Sequence, residues 1–128
     1  KYMHWSGKEI IADIIVREPP KEYRRGTYGI YEPPRDVLKG IPGLKLVEMD
    51  RIKEYAWCCS AGGGVRESNA EFAMWTALER IDEAEDTGAE AIVTACPWCE
   101  LMFGEAIQKK GSHLKVYDIV ELVAKAVL

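Results

Sequence analysis

Three observations predict an α/β fold with a mainly parallel sheet and flanking helices. In the second half of the chain, short apolar runs alternate with longer stretches of helical periodicity. Capping and stop residues punctuate those stretches where helix ends fall due. At 128 residues the chain is also long enough for one domain with a buried core. Strand–helix–strand order implies right-handed crossovers between parallel neighbours. In such sheets the chemistry collects beyond the carboxyl ends of the strands.

The elements follow in order. Ser6 to Glu9 has the form of a capping box, with Ile10, Ile11, Ile14 and Ile15 at helical spacing behind it. The run Ala12 to Pro20 reads equally as a buried strand entering a turn. Residues 17–43 are rich in Pro, Arg, Tyr and Gly and are expected to be mostly loop, with a short helical turn from Pro34 to Lys39 closed by Gly40. Leu44 to Met49 alternates as a strand does. Ser68 and Glu71 form a capping box ahead of Ala70, Ala73, Met74, Ala77, Leu78, Ile81 and Ala84 on one helix face, and Gly88 stops that helix. Ala89 to Cys96 is a short apolar strand. Pro97 suits the first turn of a helix that ends at Gly111. Leu114 to Asp118 is a strand, and Asp118 with Glu121 caps a final helix.

Composition narrows the function classes. With 48% hydrophobic and 30% charged residues the chain is an ordinary globular one. A net charge of −4 with scattered Lys and Arg recommends no nucleic-acid partner. No apolar run approaches the roughly 20 residues of a spanning helix, so no direct membrane insertion is expected. No signal peptide is evident and the first residue is Lys1, so a cytoplasmic fragment of something longer is expected. Four cysteines are too few for a disulfide scaffold and read first as metal or redox chemistry.

Those cysteines come as a vicinal pair, Cys58-Cys59, and as Cys96-Pro97-Trp98-Cys99. Both pairs flank predicted elements, with Cys96 at the end of a strand and the start of a helix. The fold therefore places the cysteine loops at the carboxyl ends of strands. Thiolates are soft ligands suited to iron–sulfur clusters and zinc. Gly62, Gly63 and Gly64, next to the vicinal pair, offer backbone N–H donors to an inorganic core without side-chain interference. Buried free cysteines also serve simply as small apolar residues, but two pairs beside a glycine triplet make that reading a poor one. A metal-free dithiol enzyme using Cys96 and Cys99 is a further reading, which leaves Cys58 and Cys59 without a role.

The segments Trp57 to Glu67 and Val93 to Cys99, with the flanks from Gly29 to Arg51 and from Leu114 to Val123, resemble the cysteine-rich CCG domain of heterodisulfide reductases, where the B and D chains carry it, and of glycolate and lactate oxidase iron–sulfur subunits. The resemblance implies that residues 1–128 are a single domain from a larger oxidoreductase subunit. It implies a four-iron four-sulfur cluster at Cys58, Cys59, Cys96 and Cys99, with zinc in a structural or assembly domain as the alternative. It implies electron transfer to a disulfide or from a partner dehydrogenase. The partners would be a ferredoxin-like iron–sulfur domain or subunit and a flavoprotein, in a complex that can be membrane-associated. The family pattern has a fifth, earlier cysteine. Here Pro20 or Glu22 stands near its place. Ser60 stands where the family usually has Gly.

The remaining candidates read as structural. His113 is expected to be solvated, and His4 lies near a chain end. Trp98 sits between two proposed ligands, where it would exclude water or pack. Phe72, Met74 and Trp75 read as helix packing, Arg66 and Glu67 as a cap for the next helix, and Glu79 to Asp86 as a solvated face.

Overall fold

The computed structural model describes residues 8–12 and 31–127. Among them, β1 (Lys8–Ala12), β2 (Leu44–Val47), β3 (Ala91–Thr94) and β4 (Lys115–Asp118) form one parallel sheet in the order β2-β1-β3-β4. The helices are α1 (Glu32–Lys39), α2 (Val65–Ser68), α3 (Ala70–Asp86), α4 (Pro97–Lys110) and α5 (Ile119–Val127). From β1 to β2 the chain steps one way across the sheet; from β2 to β3 to β4 it steps the other way. Crossovers of one hand then put the connecting helices on opposite faces.

The two cores obey that rule. Ala73, Ala77, Ile81 and Ala84 of α3 pack with Met102, Phe103 and Ala106 of α4 and with Ile92 of β3. Leu38 of α1 packs with Leu122 and Ala126 of α5 and with Ala91 and Val93 of β3. All four residues of β3 are buried, as expected for a strand covered on both faces.

Several boundaries differ from the sequence expectation, each for a local reason. Lys8–Ala12 forms a strand, where the spacing of Ile10 and Ile11 predicts a helix, and of the run Ala12 to Pro20 that reads as a strand only Ala12 is described; His4, Ser6, Ile14, Ile15, Pro20 and Glu22 lie outside the described residues. α1 begins at Glu32 and carries Pro33 and Pro34 in its first turn, where their missing N–H groups would have had no partner. β2 stops at Val47, and Glu48 receives Arg35 through Nε at 2.6 Å and Nη2 at 3.1 Å. β3 stops at Thr94, leaving Cys96 as the cap of α4.

The Ser68–Glu71 capping box does not form. Ser68 is taken up as the last residue of α2, and the Asn69 side chain caps α3 by accepting the Phe72 N–H at 3.1 Å. The run Glu79 to Asp86 is not a purely solvated face either. Ile81 and Ala84 are fully buried and Arg80 is 1% exposed. Gly111 closes α4 at φ 72°, and Asp118 accepts the Val120 N–H at 2.8 Å at the start of α5, both as predicted.

Candidate functional site

Cys96 and Cys99 are placed by regular structure. Cys96 follows the end of β3 and caps α4; its N–H donates to the Thr94 hydroxyl at 3.3 Å, and its carbonyl accepts the Glu100 N–H at 3.0 Å. Pro97 opens the helix, and Cys99 lies buried in its first turn. β3 adjoins the point where the strand order reverses, between β1 and β3, which is the usual ligand crevice of a doubly wound sheet.

Cys58 and Cys59 sit on irregular chain held by side chains from α3. Glu83 accepts the Arg51 backbone N–H at 2.7 Å and Arg51 Nε at 2.8 Å. Arg80 donates through Nη1 to the Arg51 carbonyl at 2.8 Å and lies 3.2 Å from Glu83 Oε1. The Arg51 guanidinium lies 3.9 Å from the centre of the Trp57 ring, at cation–π distance. The residue next to the vicinal pair is thereby fixed. Sequence patterning alone misses this clamp, although a signal for it exists: Arg80 follows Ala77 by three positions and precedes Ala84 by four, on the apolar stripe of α3.

Ser60 has φ 65°, a left-handed conformation that glycine adopts freely and another L-residue at a cost of about 1–2 kcal/mol. That is the physical reason a glycine suits this position. In the same turn the Ser60 N–H donates to Cys58 Sγ at 3.2 Å. Gly63 and Gly64 also have positive φ, 66° and 78°, and among the described residues no atom beyond the chain neighbours lies within 4 Å of where a Cβ would stand at Gly62, Gly63 or Gly64. The triplet forms an exposed turn with open space beside it.

The two pairs meet at Cys59. Its thiol hydrogen-bonds with both Cys58 and Cys99; the Cys58 bond draws its pKa down, but the Cys99 bond, burial and the Cys99 charge outweigh this and push it up to about 11. Cys59 and Cys99 belong to one buried cluster, and Cys96 packs against it. Cys58 is exposed. Among the described residues, no group of three or more His, Cys, Asp or Glu side chains is arranged to hold a metal ion. The donor set itself fits an iron–sulfur group: all sulfur, graded from buried to exposed, with a helix N-terminus and an open turn of N–H groups alongside.

Around this centre, three expectations are corrected. Arg66 does not cap α3 but pairs with Glu105 of α4 at 2.5 Å, tying α2 to the helix that carries Cys99. Phe72 and Trp75 are not core: they are 52% and 51% exposed, whereas Met74 does pack against the core. Trp98 is 52% exposed and therefore is not packed into the core. His113 is exposed, as expected, with Nε2 3.2 Å from the Ala89 carbonyl.

Comparison with known proteins places these features in a family. The cysteine-rich domain family CCG matches residues 22–104. One subunit of the dihydromethanophenazine:CoB–CoM heterodisulfide reductase of Methanosarcina acetivorans is 43% identical over 98 residues, 77% of this chain and 24% of that protein. The probable iron–sulfur-binding oxidoreductase FadF of Bacillus subtilis is 40% identical over 106 residues, 80% of this chain and 15% of that protein. One subunit of the CoM/CoB fumarate reductase of Methanothermobacter marburgensis is 33% identical over 113 residues, 88% of this chain and 22% of that protein. The matched region thus spans a quarter or less of these relatives. No helix among the described residues is long and apolar enough to cross a membrane.

Proposed function

Since this chain belongs to the cysteine-rich CCG domain family, we propose that it is the iron–sulfur domain of a heterodisulfide reductase-like oxidoreductase, with Cys58, Cys59, Cys96 and Cys99 as the ligands of a four-iron four-sulfur cluster. The observation that carries this reading is the meeting of the Cys59 thiol with Cys58 on its own loop and with Cys99 on α4. A cluster bound there supplies one-electron transfer. The chain's residues do the rest. Cys59 and Cys99, 2% and 4% exposed, keep water from one side of the centre. The N–H groups of Ser60 and of Gly62, Gly63 and Gly64 are available to sulfur. Ligation displaces the thiol protons, including the one that Cys59 holds to higher pH than a free thiol does, so assembly improves as pH rises.

Residues 1–128 act as one domain of a larger subunit in this account. Electrons pass between it and a ferredoxin-like iron–sulfur domain or subunit, or a flavoprotein, and on to a disulfide or from a partner dehydrogenase. The assembly is cytoplasmic and can attach to a membrane through other subunits.

The test is iron, acid-labile sulfide and zinc per chain on anaerobically prepared protein, with electron paramagnetic resonance before and after reduction. About four irons and four sulfides, with a cluster signal in one redox state, is the expected outcome. About one zinc without iron would make this a structural domain instead.

A further inference from the structure

Among the described residues, every Ser or Thr hydroxyl but one has a hydrogen-bond partner. Ser68, Thr76 and Thr87 donate to the carbonyls of Val65, Phe72 and Ala84 at 3.5, 2.9 and 2.7 Å. Thr94 and Ser112 accept the N–H groups of Cys96 and Leu114 at 3.3 and 3.2 Å. The exception is Ser60. It is 6% exposed, yet only its backbone N–H is engaged, with Cys58 Sγ at 3.2 Å. Its hydroxyl bonds to no described residue. A buried hydroxyl without a partner is costly, and native structures rarely keep one without a use.

The backbone supplies a second, independent observation. Ser60 holds φ 65°, a conformation that strains a residue with a Cβ and leaves glycine at ease. Glycine here would remove both the strain and the stranded hydroxyl. A side chain retained against two penalties points to a function for it. Its position says which. Ser60 directly follows Cys58 and Cys59 and lines the chain surface together with Cys58 and Gly62. What the site gathers beside that hydroxyl is sulfur. An O–H group that donates to a sulfur of a cluster favours the more negative, reduced state.

We propose that the Ser60 hydroxyl donates a hydrogen bond to a sulfur of the bound cluster and thereby raises its reduction potential. This rests on the iron–sulfur reading above. Neither Cys58 nor Trp57 has to give up a partner, because cluster sulfurs accept several donors at once.

The experiment compares the full chain with Ser60→Ala and Ser60→Gly after anaerobic reconstitution. Iron and sulfide are counted first. Reduction by dithionite, which supplies the electron, is then followed by electron paramagnetic resonance at controlled potential. Ser60→Ala keeps the Cβ and its strain but lacks the hydroxyl; Ser60→Gly lacks both. Both variants should bind as much iron as wild type, and both should have a lower midpoint potential, by a similar shift. Metal-free Ser60→Gly should melt no lower than wild type, because it sheds the strain. An unchanged potential in Ser60→Ala would overturn the proposal, and so would a shift confined to Ser60→Gly, which would trace the effect to loop geometry. Loss of iron from both variants would make Ser60 a structural residue and overturn it too. Wild type that binds no iron would sink the cluster reading itself and the proposal with it, whereas iron-loaded chains of equal potential would remove the hydroxyl's role alone.

Discussion

Cys96 and Cys99 ride on a strand end and a helix start, whereas Cys58 and Cys59 lie on a loop after a single 3₁₀ turn, Lys53–Tyr55, held through Arg51 by the largely covered Glu83 carboxylate and the buried Arg80 guanidinium of α3. The first pair inherits its position from backbone hydrogen bonds and from the α4 core residues Met102, Phe103 and Ala106. The second depends on a few charge-assisted contacts and on Trp57 beneath the Arg51 guanidinium. Damage to the helix-borne pair should therefore be inseparable from global unfolding, while the loop-borne pair can be loosened with the rest of the domain intact.

Substitutions can break that contrast. Phe103→Ala removes a side chain with 0% exposure and should cost about 3–5 kcal/mol. Chemical denaturation should show it as a lower midpoint with unchanged slope. The two buried thiols, Cys59 and Cys99, should become reactive together. Glu83→Leu leaves Arg80, 2% exposed at its side chain, without its carboxylate, and by analogy with broken buried pairs should cost about 3 kcal/mol. Here timed alkylation with mass mapping should find Cys59 exposed before Cys99. Simultaneous labelling would mean that the clamp holds the whole domain rather than the loop.

Smaller effects sharpen the picture. Asn69→Ala removes the side chain that caps α3 and should lower stability by about 1 kcal/mol in the same assay. Ser68→Ala should do almost nothing, the reverse of what the sequence alone would favour. In metal-free protein, Cys59 is raised from 9.0 to about 11. A raised pKa means that the folded chain holds the proton more tightly than the unfolded one. Its contribution to stability is present below about pH 9 and lost as pH climbs toward about 11. Iodoacetamide near pH 8 should accordingly modify exposed Cys58 well before Cys59; Cys59 modified first would contradict that order.

The same contrast explains what was legible in the sequence. Periodicity and stop signals located α3, α4, β3 and β4, because Ala77, Ile81, Pro97, Gly111 and Asp118 act within a few residues of where they stand. Cysteine spacing, glycine content and family resemblance singled out the vicinal pair, but nothing local says how a loop is held. The Arg51–Glu83–Arg80 clamp joins residues about thirty positions apart, and a long acidic run on a helix looks the same whether Glu83 faces water or a buried guanidinium. Phe72 and Trp75 defeat the sequence expectation for a related reason. Large aromatic residues are usually buried, and only the observed packing shows that α3 turns these two outward. The Ser68 cap failed because α2 claimed Ser68 first.

Whether both cysteine pairs serve one centre can be decided by counting iron on substituted chains. Iron and sulfide per chain would be measured after anaerobic reconstitution of wild type, Cys58→Ser/Cys59→Ser and Cys96→Ser/Cys99→Ser. A shared centre predicts that each double variant loses nearly all the iron bound by wild type, and loses the cluster's visible absorption with it. If each double variant instead kept about half the wild-type iron, the pairs would be separate sites and the account would be wrong.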